Sequence, residues 1–134
     1  MSIQDCGVPL PNVLVCDDER VMRTLVRATL QGVADVAEAH DGDEALALLR
    51  EARPALLIVD MMMPGMSGLD VVRHLRGDEH LRTLPVIMIT AQVQLAHQEA
   101  AFDAGVDVFI GKPFSPSVLL DAASSLLEAA GYVR

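Results

Sequence analysis

The sequence predicts a doubly wound α/β fold, in which a five-stranded parallel sheet is covered by five helices in three layers. Five short apolar runs alternate along the chain with five longer segments whose apolar residues recur at helical spacing. The apolar runs are continuous, which is typical of parallel strands buried on both faces. Because crossovers between parallel strands are right-handed, helices on both faces of one sheet are the expected arrangement.

The first part of the chain predicts a strand, a helix and a second strand. The run VLVCD at residues 13–17 is β-branched and predicts a buried strand, and residues 34–39 predict a weaker one. Residues 19–31 carry apolar side chains on one helical face and stop before Gly32, which is typical of a helix C-terminus. The predicted buried face consists of Val21, Met22, Leu25, Val26, Thr29 and Leu30.

The middle of the chain predicts the second helix, the third strand and a short third helix. Asp41 opens the second helix, and Glu44 follows three residues later in a capping-box-like pattern. Pro54 breaks this helix. The run ALLIVD at residues 55–60 is the clearest strand of the chain. After the loop MMMPGMSG, a short helix is predicted at residues 69–76.

The last two strand and helix pairs follow the same rules. The run VIMIT at residues 86–90 predicts the fourth strand, and residues 94–104 predict a helix that stops at a glycine. The run DVFIGK at residues 107–112 predicts the fifth strand. Ser115, followed by a proline, forms an N-cap and N1 pair that predicts a final helix over residues 116–130.

Composition and charge exclude several classes of protein. Of the 134 residues, 51% are hydrophobic but only 3% are aromatic, so stacking surfaces for single-stranded nucleic acid are not expected. The net charge of −9 repels phosphates and argues against direct nucleic-acid binding. Two cysteines are too few for a disulfide framework, and there is neither a signal-peptide pattern nor an apolar run of about 20 residues. We therefore expect a cytoplasmic protein without a membrane span.

The domain itself is expected over residues 12–134. Residues 1–11 contain Gly7, Pro9 and Pro11, which predict a flexible N-terminal lead-in.

Polar side chains stand at the carboxyl ends of four of the five predicted strands. These residues are Asp17 and Asp18 after strand one, Asp60 after strand three, Thr90 after strand four and Lys112 after strand five. Ligand sites of such sheets lie at this edge. Three carboxylates gathered there repel one another and call for cations, and their oxygens suit Mg²⁺ or Mn²⁺. With Lys112 as a further positive charge, the site suits a phosphoryl group, and Asp60 is a candidate nucleophile. Any one of these residues alone equally fits a turn or helix cap; the joint pattern does not.

Over residues 12–130 the sequence resembles the receiver domain of two-component response regulators. The resemblance is carried by VLVCDDE, AHDGDEALALL, LLIVDMMMPGMSGLD, PVIMITA, AFDAG and VFIGKPF. It implies a flavodoxin-like sheet of order 2-1-3-4-5. It also implies Mg²⁺-dependent transfer of a phosphoryl group from a sensor histidine kinase or a histidine phosphotransfer protein onto Asp60. Beyond this self-directed transfer and autodephosphorylation, no enzyme activity is implied.

The same resemblance implies a metal site and a phosphoacceptor. Asp60 is the implied phosphoacceptor. The metal ligands implied are Asp17, Asp18, Asp60 and the backbone carbonyl of Met62, with Asp18 a more direct ligand than Asp17. Met61 and Met66 are expected to fill gaps beneath the loop, whereas Met62 is expected to lie beside the path of an attacking water.

Signalling roles follow from the resemblance as well. Lys112 and Thr90 are expected to contact the phosphoryl group, and Thr90 and Phe109 are the implied switch residues. The bond between Lys112 and Pro113 is expected to be cis. The output is implied to be a conformational change in the face made by helix 4, strand 5 and helix 5, which is read by a downstream target protein. A monomer or a weak phosphorylation-dependent dimer is expected.

Other interpretations remain open at this point. The chain could be a receiver fragment of a longer transcription factor or signalling enzyme. More remotely, it could be a flavodoxin-like enzyme or FMN binder, although no aromatic or glycine-rich phosphate loop follows strand one. Three arginines recur at helical spacing on the first helix, where a solvated face is expected and contact with an acidic partner is the alternative: Arg20, Arg23 and Arg27.

Overall fold

Five parallel strands form the central sheet of the computed structural model, which describes residues 9–132. In chain order the strands are β1 (Asn12–Cys16), β2 (Asp35–Ala39), β3 (Leu56–Val59), β4 (Val86–Thr90) and β5 (Val108–Gly111). They lie in the order β2-β1-β3-β4-β5. The helices are α1 (Arg20–Thr29), α2 (Gly42–Glu51), α3 (Gly68–Arg76), α4 (Leu95–Ala104) and α5 (Pro116–Ala129). The predicted fold class and strand order are confirmed.

Two aliphatic cores lie on opposite faces of the sheet. Successive side chains of a strand point to opposite faces, so Leu57 enters one core and Leu56 and Ile58 enter the other. The first core is closed by α2, α3 and part of α4, and the second by α1 and α5. Because both faces are covered, β3 is fully buried, and its four aliphatic residues pack alternately into the two cores.

Helix α1 buries a narrower face than its sequence predicts. Val26 and Leu30 are buried and Met22 packs against the same core, but Val21 is 70% exposed and Leu25 is 46% exposed. At about 100° per residue, these two exposed positions lie roughly 100–180° around the helix from Val26 and Leu30. A helix resting on a sheet buries only its central stripe. The expectation that all six residues face the core is therefore wrong.

The end of α1 also differs from the prediction. Leu30, rather than Gly32, occupies the C-cap position. Gly32 has a φ of 82° in the turn that follows, a left-handed conformation that glycine adopts without strain. This glycine therefore shapes the connection to β2 instead of closing the helix.

The helix starts predicted from capping residues are found, with differences in their hydrogen bonds. The Asp41 side chain accepts a hydrogen bond from the backbone N–H of Glu44 at 2.8 Å. The Glu44 carboxylate reaches back one residue further than a standard capping box, because it accepts from the N–H of His40 at 2.7 Å. Ser115 stands at the N-cap of α5, but its hydroxyl pairs with that of Ser117 at 2.9 Å.

The N-terminal lead-in predicted for residues 1–11 lies partly outside the described residues, which begin at residue 9. The carbonyl of Pro11 accepts a hydrogen bond from the N–H of Asp35 at 2.9 Å, which joins the chain before β1 to the start of β2. Across residues 9–132, none of the helices has both the length and the apolar character that crossing a membrane requires.

Candidate functional site

The ammonium group of Lys112 lies among three carboxylates beyond the carboxyl ends of the strands. Its Nζ is 3.0 Å from Asp17 Oδ2, 3.1 Å from Asp60 Oδ2 and 3.2 Å from Glu19 Oε1. Asp17 is 4% exposed and Asp60 6% exposed, whereas Glu19 lies at the surface. One cation therefore partly compensates two buried carboxylates and one exposed carboxylate.

The parallel register explains why these side chains meet. Cys16 of β1 is paired with Val59 of β3, so the next residues, Asp17 and Asp60, leave the sheet side by side. The N–H of Asp60 also donates to the carbonyl of Cys16 at 3.0 Å, which continues the ladder past the strand ends. On the far side of the sheet, the N–H of Lys112 donates to the carbonyl of Thr90 at 2.8 Å.

Burial and hydrogen bonding act in opposite directions on the charged groups. Burial raises the pKa of Asp17, although the hydrogen bonds from the N–H of Glu19 and from Lys112 oppose this effect. Burial by itself would lower the pKa of Lys112, but its hydrogen bonds to Asp17 and Asp60 outweigh burial and raise it. Lys112 is thus firmly protonated, while ionised Asp17 is held at a cost in free energy.

The donor set fits a hard divalent cation. Asp17, Glu19 and Asp60 each offer a carboxylate oxygen, and these oxygens lie within 4.8 Å of one another. With three negative charges and one ammonium, the cluster keeps two negative charges, which a divalent ion would neutralise. Oxygen-only donors favour Mg²⁺ or Mn²⁺ over softer metals. The residues present therefore suit the metal that the sequence predicts.

Glu19, rather than Asp18, is the third member of this carboxylate group. Asp18 is exposed and is not among the three clustered carboxylates of the described chain. The Asp17 side chain accepts a hydrogen bond from the N–H of Glu19 at 2.8 Å, which folds the chain so that Glu19 reaches Lys112. An Asp at the end of a strand commonly accepts a hydrogen bond from the N–H two residues on, and this tendency is the sequence signal for the turn that brings Glu19 to the site.

The backbone after Asp60 passes so close to the start of α3 that only glycine fits there. A Cβ atom on Gly68 would lie 2.0 Å from the carbonyl oxygen of Asp60. The N–H of Gly68 donates to the carbonyl of Met61 at 2.8 Å. The last glycine of the MMMPGMSG loop therefore fixes the loop directly behind Asp60.

The comparisons with known proteins agree with this geometry. The sequence model of the response regulator receiver domain matches residues 13–124. The chain belongs to the response regulator receiver family. The chemotaxis protein CheY of Pseudomonas aeruginosa is 37% identical over 118 residues, which cover 87% of this receiver and 95% of that protein. The response regulator MprA of Mycobacterium tuberculosis is 40% identical over 117 residues, and this receiver spans 50% of its length.

Solved structures show the same family likeness. The chemotaxis response regulator CheY4 of Vibrio cholerae superimposes with a TM-score of 0.82 at 31% identity, covering 87% of this receiver and 98% of that chain. The signal receiver domain of a signal transduction histidine kinase from Syntrophus aciditrophicus gives a TM-score of 0.84 at 29% identity, covering 92% and 95%. The match to the receiver family therefore supports the receiver interpretation over the remote FMN-binder alternative.

The residues expected to act as switches lie on β4 and β5 of the receiver. Thr90 is buried, and its hydroxyl accepts a hydrogen bond from the N–H of Gln92 at 3.2 Å. Phe109 is half-buried and packs against Phe102 of α4, with ring centroids 6.4 Å apart and planes tilted by 50°. The peptide bond between Lys112 and Pro113 is cis.

The methionines beside Asp60 divide into core and surface residues. Met61 is buried and Met66 packs against the same core, which confirms the expectation that they fill gaps beneath the loop. Met63 is buried as well, with its sulfur 3.5 Å from the thiol of Cys16. Met62 is 57% exposed, and its N–H lies 3.4 Å from Asp60 Oδ1.

Two of the three helical arginines make ion pairs within the receiver. Arg23 and Arg27 both pair with the carboxylate of Glu38 on β2, whereas Arg20 is exposed. The Arg23 side chain is 15% exposed, so the expectation of a solvated face is wrong at this position. Periodicity along α1 could not reveal the pairing, because it depends on which strand lies beside the helix.

Proposed function

We propose that this receiver accepts a phosphoryl group on Asp60 and signals through a change in its binding surface. The observation that carries the proposal is the position of Lys112 Nζ, which lies 3.1 Å from Asp60 Oδ2 in a cluster that keeps two negative charges. A nearly buried carboxylate beside a fixed cation suits nucleophilic attack on phosphorus, because the cation can also neutralise the incoming oxygens.

The proposed metal ligands come from two loops. Asp17, Asp18, Asp60 and the backbone carbonyl of Met62 are proposed to hold Mg²⁺ or Mn²⁺, and Glu19 joins them because it lies in the carboxylate cluster. When bound, the metal supplies positive charge to the phosphoryl oxygens. The pairing of β1 with β3 places the two loops side by side, and the Asp17 turn and the close packing of Gly68 behind Asp60 shape each loop.

The proposed transfer is a direct displacement at phosphorus. An oxygen of Asp60 bonds to phosphorus as the phosphorus–nitrogen bond of a phosphohistidine breaks. The electron pair returns to the imidazole, which takes up a proton from solvent. Lys112 then pairs with a phosphoryl oxygen, and the Thr90 hydroxyl donates to another. We propose no activity on other substrates beyond this self-directed transfer and hydrolysis of the aspartyl phosphate.

The proposed partners are a sensor histidine kinase or histidine phosphotransfer protein as donor and a downstream protein as target. The proposed output face is α4, β5 and α5, where Leu95, Phe102 and Val118 are exposed apolar side chains. A change at Thr90 would be accompanied by a rearrangement of the half-buried Phe109, and this would alter the face. We propose a cytoplasmic protein that is a monomer or a weak phosphorylation-dependent dimer.

The role as a single-domain regulator is part of the proposal. The Pseudomonas aeruginosa relative is covered almost completely, whereas the MprA relatives are about twice as long as the matched region. The second candidate, a receiver that forms part of a longer regulator, has support from that half coverage. Both candidates share the chemistry at Asp60.

The test is intact mass after incubation with acetyl phosphate and Mg²⁺. We expect the gain of one phosphoryl group, and no gain in EDTA or in Asp60→Asn. Asp70→Asn is the matched control, because Asp70 is a half-exposed carboxylate on α3 that pairs with Arg73. Equal labelling of the Asp60→Asn variant, or no labelling of the folded, Mg²⁺-bound protein by several donors, would contradict the proposal.

A further inference from the structure

Arg23 of α1 joins the edge strand of the sheet to the start of the carboxylate site. Its Nε donates to Glu38 Oε1 on β2 at 2.9 Å. Its Nη1 donates to the backbone carbonyl of Asp17 at 2.8 Å. The planar guanidinium holds both acceptors at once, which the single ammonium of a lysine cannot do with the same geometry.

The carbonyl of Asp17 belongs to the loop between β1 and α1, which carries two of the clustered carboxylates. The N–H of Asp17 is held by the carbonyl of Ala39, at 3.1 Å, and its side chain is held by the N–H of Glu19. The bond from Arg23 is a third restraint, and it comes from a different element. Together they fix the orientation of the peptide that links Asp17 to Asp18, at the start of the turn that brings Glu19 to the site.

Glu38 is itself held in place. Its second carboxylate oxygen pairs with Arg27, one helical turn after Arg23 on α1. The hydrogen bonds to the two arginines lower the pKa of Glu38, so its negative charge is retained. Arg23 is therefore oriented by a carboxylate that α1 and β2 fix together.

We propose that Arg23, oriented by Glu38, is a positioning residue for divalent-cation binding at the Asp17, Glu19 and Asp60 cluster. The inference rests on the proposed function of that cluster. Residues that orient metal ligands typically change metal affinity by about 10- to 100-fold when they are replaced. Arg23 acts on a ligand loop through its backbone, so its effect falls on the geometry of the site.

The experiment is calorimetric titration of the full chain with Mg²⁺, without a phosphodonor. In Arg23→Lys we expect the dissociation constant for Mg²⁺ to rise by about ten-fold. In Glu38→Gln we expect a smaller rise of the dissociation constant, because Arg23 keeps its hydrogen bond to the Asp17 carbonyl but loses its ion pair with Glu38. Arg27→Met is the comparison variant: it leaves the hydrogen bond from Arg23 to Asp17 and the ion pair between Arg23 and Glu38 in place, so its dissociation constant should rise less than that of Glu38→Gln.

A purely structural role would not give this result. Such a role would lower the urea midpoint in EDTA and leave the Mg²⁺ affinity of the folded protein unchanged, so both quantities are measured for every variant. Wild-type affinity in Arg23→Lys, or equal weakening in Arg27→Met, overturns the inference while leaving phosphorylation of Asp60 untouched. An absence of Mg²⁺ binding in the wild type overturns the inference and the proposed metal site together.

Discussion

Replacement of Lys112 by glutamine tests the charge balance of the site most directly. The substitution removes an ammonium that contacts two nearly buried carboxylates and one exposed carboxylate. Removing one partner of a buried ion pair costs about 3–5 kcal/mol, because it leaves buried charge without compensation. The contact with exposed Glu19 adds at most about 1 kcal/mol. Since the carboxylates keep some access to solvent, we expect unfolding in EDTA at neutral pH to become easier by about 3 kcal/mol.

The decrease in the free energy of unfolding caused by Lys112→Gln should depend on pH in a defined direction. Burial raises the pKa of Asp17 above its ordinary value of 3.8, so the folded protein binds its proton more readily than the unfolded chain does. Stability contributed by protonated Asp17 therefore grows as the pH falls towards that value. Removing Lys112 strengthens this effect, so the difference between Lys112→Gln and wild type should narrow towards about pH 4. At the alkaline end, the wild-type contribution of Lys112, whose pKa is raised, is complete up to about pH 10.5 while its carboxylate partners are ionised, and it is lost at higher pH.

The assay is urea unfolding followed by circular dichroism, in EDTA and in Mg²⁺, across this pH range. Lys112→Arg is the control because it keeps the positive charge, and it should retain most of the stability. Mg²⁺ should restore part of the stability of Lys112→Gln, because the metal compensates the same carboxylates. If Lys112→Gln were as stable as wild type in EDTA at neutral pH, the argument from uncompensated buried charge would fail.

Four further substitutions have expected outcomes. Asp17→Asn should raise the urea midpoint in EDTA near neutral pH, since it removes a carboxylate whose pKa burial raises, and should remove the stabilisation by Mg²⁺. Gly68→Ala should destabilise the protein by about 3 kcal/mol or more, because its Cβ meets the carbonyl of Asp60; wild-type urea stability would contradict this. Leu57→Ala should cost about 3–5 kcal/mol in the same assay while leaving the Mg²⁺ affinity unchanged. Met62→Asn should shorten the lifetime of the aspartyl phosphate, measured by loss of labelled phosphoryl, by giving an attacking water a polar neighbour; an unchanged lifetime would refute it.

The fold was readable from the sequence because its strands are buried on both faces. A run such as that from Leu56 to Val59 has no polar alternation, and only a sheet covered by helices on both sides accommodates it. The polar residues at the strand ends followed from the same reasoning. The strand order came from the likeness to receiver domains, since apolar runs do not specify which strands are neighbours.

The features that could not be predicted from the sequence depend on contacts between elements or on the direction of a turn. Glu19 joins the carboxylate cluster because Asp17 accepts a hydrogen bond from its N–H, whereas adjacent Asp18 stays at the surface. Arg23 is held by Glu38, 15 residues away, because β2 lies beside α1. Local patterns set which residue types are present, but these pairings require the tertiary arrangement.

Lys112 also connects the charge state of the site to the proposed output face. It immediately follows β5, the strand that carries Phe109, and Phe109 packs against Phe102 of α4. A phosphoryl group on Asp60 adds negative oxygens that compete with Asp17 and Glu19 for the same ammonium. Any movement of Lys112 towards them acts on the end of β5, a strand that is hydrogen-bonded on one side to β4 and lies at the edge of the sheet. Such an edge strand can adjust without breaking pairs on a second side, so we expect the response to phosphorylation to concentrate in β5 and α4, and not in β1 or β3.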